Sequence, residues 1–68
     1  MRKANLKKAI LIDAYLPGAR LNEADLSNAN LTNANLKKAN MLGAKLDSTI
    51  LKGADLQGAI MPDGTIHA

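Results

Sequence analysis

Cysteine, tryptophan and phenylalanine are absent from the 68 residues, and Tyr15 is the single tyrosine. Without cysteine there is no disulfide to staple a small fold and no thiolate metal site, and cysteine usage carries no signal of redox compartment. With one aromatic ring there is no platform on which nucleic-acid bases could stack. The N-terminus, Met1-Arg2-Lys3, is basic, but no apolar run follows that is long enough for a signal peptide or a membrane span. No membrane insertion is expected, and the default compartment is the cytoplasm. Histidine occurs once, at His67 beside the C-terminus, with no serine, cysteine or second histidine placed to partner it. No glycine loop of the kind that cradles phosphate is present, and the carboxylates are dispersed rather than clustered as metal ligands. Catalytic, cofactor and metal sites are all expected to be absent.

What the chain has instead is a sentence of five residues, spelled most clearly over Ala24-Asp25-Leu26-Ser27-Asn28-Ala29-Asn30-Leu31-Thr32-Asn33-Ala34-Asn35-Leu36-Lys37-Lys38. The large apolar position recurs as Leu6, Leu11, Leu16, Leu21, Leu26, Leu31, Leu36, Met41, Leu46, Leu51, Leu56, Met61 and Ile66, with Met1 in step. The small position runs Ala4, Ala9, Ala14, Ala19, Ala24, Ala29, Ala34, Ala39, Ala44, Thr49, Ala54, Ala59 and Gly64, without insertion or deletion.

A period of five suits neither regular structure. In an α-helix successive leucines would step by roughly 140° and form no stripe. In a flat strand, residues five apart point to opposite faces, so half the leucines would meet water. The pattern makes sense if the chain turns a corner every five residues, so that Ala and Leu look toward one axis and the other three positions look outward. Alternating small and large side chains then fill a narrow interior, and the backbone of each circuit bonds to the circuits above and below as parallel strands do.

The string A(D/N)LXX over residues 4–66 resembles the pentapeptide repeat family. Thirteen units in register, with ten Leu and eleven Ala at the two inward positions, make the likeness specific. The resemblance implies an all-β fold, a right-handed quadrilateral β-helix (a solenoid) of about three coils with four pentapeptides in each. Right-handedness agrees with the general rule for parallel β crossovers. Met61-Pro62-Asp63-Gly64-Thr65-Ile66-His67-Ala68 resembles the closing segment of many cyanobacterial members. It is expected to turn tightly at Pro62-Asp63-Gly64, to lift the chain away from the coil and to keep Ile66 in the inward register. The organisation expected is one domain over 1–68, with repeats at 4–66 and the terminal turn at 61–68, either free-standing or a fragment of a longer chain.

The inward set is the expected core, with Met41 and Met61 as adaptable fillers and Thr49 carrying a hydroxyl that must find a backbone partner. Pro17-Gly18 marks a corner, and Gly43, Gly53 and Gly58 fall at the same repeat position as Gly18. Asn30, Asn35 and Asn40 share another position, where a short amide can bond local backbone. Asn30-Leu31-Thr32 matches a glycosylation acceptor, a match inherent in a repeat rich in Asn and Thr. Ile10, Ile12, Ile50 and Tyr15 are apolar at outward positions and form the candidate interaction surface, with Ile50 expected two coils from Ile10 and Asn30 between them.

The net charge of +3 and pI near 9.5 invite a nucleic-acid reading, so each charge was placed on a face by steps of twenty. Lys7, Lys8 and Lys45 meet Asp25 and Asp47; Lys52 meets Asp13; Lys37 and Lys38 meet Asp55; Arg2, Lys3 and Arg20 meet Glu23 and Asp63. The totals are +1, 0, +1 and +1, so no face is a basic stripe. The favoured function is a non-catalytic structural or protein-interaction module whose partner the sequence does not name. The family branch that mimics DNA and binds type II topoisomerases in quinolone resistance is one alternative. It requires an acidic surface, and this chain is basic and short. Weak binding of nucleic acid or acidic surfaces through Lys7, Lys8, Lys37 and Lys38 is the other, with no specific nucleic acid expected. The first coil has nothing over it, so self-association through the N-terminal coil, head to head, is expected.

Overall fold

Every five-residue unit closes its own corner with the main chain. The computed structural model describes residues 3–68; Met1 and Arg2, placed above in the inward register and on the fourth face, lie outside the described residues. In each unit the leucine carbonyl accepts a hydrogen bond from the amide three residues on, from Ala9 N to Leu6 O at 3.1 Å through Ala34 N to Leu31 O at 3.0 Å to Ala59 N to Leu56 O at 2.9 Å. The third residue of each of these corners has positive φ, 61° at Lys8, 68° at Gly18 and 71° at Gly53. A single positive φ at that place makes a type II turn.

Glycine is not required there. Lys3, Lys8, Asp13, Glu23, Asn28, Asn33, Lys38 and Ser48 all take the left-handed conformation, at about 1–2 kcal/mol each for a side chain with Cβ. Two bonds act here: the first is made by all of them but Ser48, and the second adds to it at Lys8, Asn28, Asn33 and Lys38. The amide of the strained residue donates along the axis, as Lys8 N does to Ser27 O at 3.0 Å. The Asn or Asp three positions earlier accepts the amide of the second corner residue, as Asn5 Oδ1 does from Lys7 N at 3.2 Å and Asn35 Oδ1 from Lys37 N at 3.1 Å. That is the Asx turn, and it explains why the repeat favours Asp or Asn before leucine.

Between corners only one residue per unit remains extended enough to pair. These residues form isolated parallel bridges to the residue twenty further on: Asn5 with Asp25 and Asp25 with Lys45; Ile10 with Asn30 and Asn30 with Ile50; Tyr15 with Asn35 and Asn35 with Asp55; Arg20 with Asn40 and Asn40 with Ile60. The described residues contain no helix and no strand longer than such a bridge. The fold is a β-helix held by short ladders.

The interior is apolar and closed in the middle. Leu21, Leu26, Leu31, Leu36 and Met41 are buried, with Ala24, Ala29, Ala34, Ala39, Ala44 and Ala59 beside them, and none of the described polar residues is buried. Toward the ends the same positions are half-buried: Leu6, Leu11 and Leu16 on one side, Leu46, Leu51, Leu56 and Met61 on the other. Thr49, also half-buried, donates its hydroxyl to Leu26 O at 2.7 Å.

The C-terminal segment differs from its sequence-based expectation. It turns at Met61–Gly64, with Gly64 N donating to Met61 O at 2.9 Å, and the positive φ moves on to Gly64 at 90°. The chain then folds back over the coil instead of leaving it. Ile66 pairs antiparallel with Ile60, Met61 N donates to Thr65 O at 2.7 Å, and His67 N donates to Ala59 O at 2.8 Å. Ile66 is therefore not inward; it is 63% exposed. The corner bond stays in register, but the positive φ falls on Gly64 instead of on position 63, so the chain leaves the corner in another direction and position 66 no longer aims at the axis.

Candidate functional site

The outward apolar residues occupy three sides of the coil. Ile10, Asn30 and Ile50 form one bridged column, so the two isoleucines lie two ladder steps apart with a polar side chain between. Tyr15 heads the next column, above Asn35 and Asp55. Ile10 and Tyr15 are 79% and 78% exposed, and Ile12, at a corner, is exposed as well. The four residues are not one patch: Ile10, Ile12 and Tyr15 gather at the N-terminal end, and Ile50 sits at the other. A second apolar group escaped the sequence reading. Leu42 is 50% exposed; its carbonyl accepts from Glu23 N at 2.8 Å, and the next corner in its column is Pro62, whose carbonyl accepts from Gly43 N at 3.0 Å. Leu42 follows Met41 at an outward place, so the register alone could have found it.

The lysines do not converge. Lys7 and Lys8 follow the Asn5 column, whereas Lys37 and Lys38 follow the Tyr15 column, with the Ile10 column between. Lys7 Nζ lies 3.6 Å from Asp25 and Lys37 Nζ 3.6 Å from Asp55. Both pairs are exposed enough to contribute little. The Asp25 carboxyl is held below the usual carboxylate range by the Ser27 hydroxyl and amide, against partial burial, with Lys7 and Lys45 adding to the effect. Asp63 is lowered likewise by the Thr65 hydroxyl and amide.

The two ends of the coil are chemically unlike. Each bridging residue directs both its N–H and its C=O toward the N-terminal end: Asp25 N donates to Ala4 O at 2.9 Å, and Asp25 O accepts from Leu6 N at 2.8 Å. Asn5, Ile10 and Tyr15 head their columns, and their amides and carbonyls have no partner among the described residues. Half-buried Ala4, Leu6, Ala9, Leu11, Ala14 and Leu16 floor that end. At the opposite end, the amides of Leu46, Leu51 and Leu56 are open in three columns. The fourth, that of Ile60, is filled by the folded-back tail, with Met61 N donating to Thr65 O at 2.7 Å, and Gly58 N at the preceding corner donates to His67 O at 2.8 Å. Charge follows the same axis. Residues 3–22 hold Lys3, Lys7, Lys8 and Arg20 against Asp13 alone, whereas residues 23–68 hold five acids and four bases. Adding charges around the faces hid this gradient.

The described residues enclose no pocket and contain no group of three or more His, Cys, Asp or Glu able to hold a metal. They contain no helix long and apolar enough to cross a membrane. The model of the family of pentapeptide repeats matches residues 1–37 and 24–61, with eight copies. The chain belongs to the pentapeptide repeat family. Among solved structures, it is 43% identical to HetL, a pentapeptide repeat protein involved in heterocyst differentiation regulation from the cyanobacterium Nostoc sp. strain PCC 7120, over 98% of this chain and with a TM-score of 0.47. This pentapeptide repeat chain spans about a third of the length of HetL, 34%. No curated protein matches it.

Proposed function

We propose that the chain is a non-catalytic protein-interaction module: a right-handed quadrilateral β-helix of about three coils, four pentapeptides to a coil, forming a single domain over residues 1–68. The observation that carries this reading is the bridging of residues twenty apart in four successive columns, which divides by the five-residue repeat into four sides. Side chains fill the axis, so the chemistry available is that of the outer surface. That surface is mixed in charge and carries exposed Ile10, Ile12, Tyr15 and Ile50. Such a module acts by holding a partner, and a regulatory part, like the one in which HetL is involved, suits it better than a metabolic one.

The test is site-directed photo-crosslinking in cells, with the crosslinker placed in turn at Ile10, Tyr15, Ile50, Asp13 and Gln57. Capture of one defined protein from the isoleucine and tyrosine positions, abolished by Tyr15→Lys with the circular dichroism unchanged, is the expected result. Equal capture from all five positions would remove the assignment of a docking side.

A further inference from the structure

We propose that the ladder edge at Gly58, Ala59 and Met61 is a strand-binding site, covered by the chain's own Thr65–His67 as a detachable strap, and that an extended segment of a partner protein takes the strap's place. The site is built of residues 42–67 and is separate from the sides that carry Ile10, Tyr15 and Ile50. One circuit earlier, the equivalent edge is closed by the coil itself: Met41 N donates to Ile60 O at 2.8 Å, Lys38 N donates to Gln57 O at 2.9 Å, and Ala39 O accepts from Ile60 N at 2.8 Å. Twenty residues on, Met61 N donates to Thr65 O at 2.7 Å, Gly58 N donates to His67 O at 2.8 Å, and Ala59 O accepts from His67 N at 2.8 Å. The strap thus satisfies the same three groups in the antiparallel sense, with Ile66 opposite Ile60.

What holds the strap is main chain. Thr65, Ile66 and His67 are all exposed, and none of them joins the core. Thr65 is steadied instead by the Asp63 carboxylate, which accepts its amide at 3.0 Å and its hydroxyl at 2.7 Å. Bonds of this kind are made by any extended segment, and a segment with few buried apolar contacts and exposed backbone bonds opens at low cost. One circuit earlier the contrast is plain: Met41 and Ala39 are fully buried, so their ladder bonds open only with the coil.

Leu42 selects what displaces the strap. It is half-exposed, and its Cδ1 lies 3.7 Å from the place that a Cβ on residue 64 would occupy. The strap has glycine there, with φ 90°, because it must turn back sharply from Met61, and the contact with Leu42 is left unmade. A segment arriving from another protein has no such turn to make, and an apolar side chain at that place lies against Leu42. The occupant is therefore an extended peptide running antiparallel to Ala59–Met61, with an apolar residue two positions before the one opposite Ile60. Main-chain bonds supply its affinity and the contact with Leu42 its preference. The tail of a second copy carries the same glycine and gains nothing over the strap, which is already tethered beside the edge.

The experiment begins with amide exchange on the unmodified full chain. Relative to intrinsic rates, the Met61 and Gly58 amides should exchange faster than those of Met41 and Lys38 by about tenfold or more, because lifting the strap alone releases them. The chain carrying His67→Pro, which removes the donor to Ala59 O, is then titrated with a synthetic peptide of residues 63–68 carrying Gly64→Leu and followed by NMR. Shifts confined to Leu42 and residues 58–61 are expected, with binding several-fold tighter than for the same peptide without the substitution. Leu42→Asn in the chain should abolish that difference. Protection at Met61 equal to that at Met41 would overturn the strap, and no shifts at millimolar peptide would overturn the site. Equal binding of the two peptides would overturn the choice of occupant. So would a dimer of the unmodified chain that His67→Pro dissolves, since tails would then be exchanged between copies. The exchange measurement decides whether the strap detaches even if the proline variant fails to fold, and none of these readouts depends on Ile10, Tyr15 or Ile50.

Discussion

The Thr49 hydroxyl donates to the carbonyl of Leu26 at 2.7 Å, and that same carbonyl accepts the corner bond from Ala29 N at 3.0 Å. Thr49 stands where the repeat places alanine, so its hydroxyl enters a site built for a methyl group and is accommodated by the second lone pair of a neighbouring corner. Thr49→Val keeps the shape and removes the donor. It should cost about 0.5–1.5 kcal/mol, measured as a shift in urea midpoint with unchanged slope. Thr49→Ala restores the repeat and should cost no more than Thr49→Val; a much larger loss would mean that the site needs threonine's volume.

Leu31 is fully buried in the middle of the coil, and Asn33, two residues on, is exposed with φ 59°. Leu31→Asp places a carboxylate in an interior without polar partners, which costs several kcal/mol, comparable with the whole stability of so small a domain. The variant should be unfolded by circular dichroism at 25 °C. Asn33→Asp should be indistinguishable from the parent, since Asp13 already occupies the equivalent corner place with φ 61°. Two equally folded variants would refute the inward register.

The corner residues offer a route to stabilisation. Ser48 is exposed, has φ 56° and stands where Gly18, Gly43, Gly53 and Gly58 stand in other units. Ser48→Gly relieves left-handed strain of about 1–2 kcal/mol and gives back part of it as unfolded-state entropy. A net gain of about 0.5 kcal/mol is expected in thermal or urea unfolding. The converse change, Gly18→Ala, meets no atom within 4 Å, so any loss it produces reports backbone strain alone.

Acid should loosen the coil at two defined places. Asp25 and Asp63 have folded pKa values below their unfolded ones because the Ser27 and Thr65 hydroxyls and amides bind the carboxylate form. A depressed acid pKa adds stability that is full above the unfolded value, near 4, and is lost as pH falls through the folded one. The melting temperature should therefore be level from pH 5 to 7 and fall below about 4. Asp25→Asn should flatten that decline, and Thr65→Val should remove the contribution of Asp63. A decline unaltered by either change would place the acid sensitivity elsewhere.

Much of the fold was legible because the interior repeats without interruption. From Leu6 to Leu56 the register alone locates the axis, the small and large positions and the corners. Three things were not legible. The left-handed conformation was readable at Gly18 but not at Lys8 or Glu23, where hydrogen bonds impose it on residues with no preference for it. Ile66 kept the spacing of five while the positive φ moved on to Gly64 and the chain folded back, so spacing stopped being position. The concentration of positive charge at one end was present in the sequence but invisible to a count taken around the sides. Which groups are open at each end depends on the direction of the ladder bonds, which composition does not encode.

Because the residue twenty places on is always the vertical neighbour, the coil has its own grammar for gain and loss of sequence. Deleting one unit of five leaves the lumen intact, since every alanine and leucine keeps its place. It re-deals the exterior across the cut: with a unit removed between them, Ile10 would come to face Asn35 rather than Asn30, and every ladder pair that spans the cut would change partner. Deleting twenty residues keeps every residue on its own side and only shortens the stack. Length in such a chain can therefore drift in steps of a full circuit under selection for the outer surface, and in steps of a single unit where the outside is free to change. A chain altered by any other number of residues must rebuild its interior or unfold.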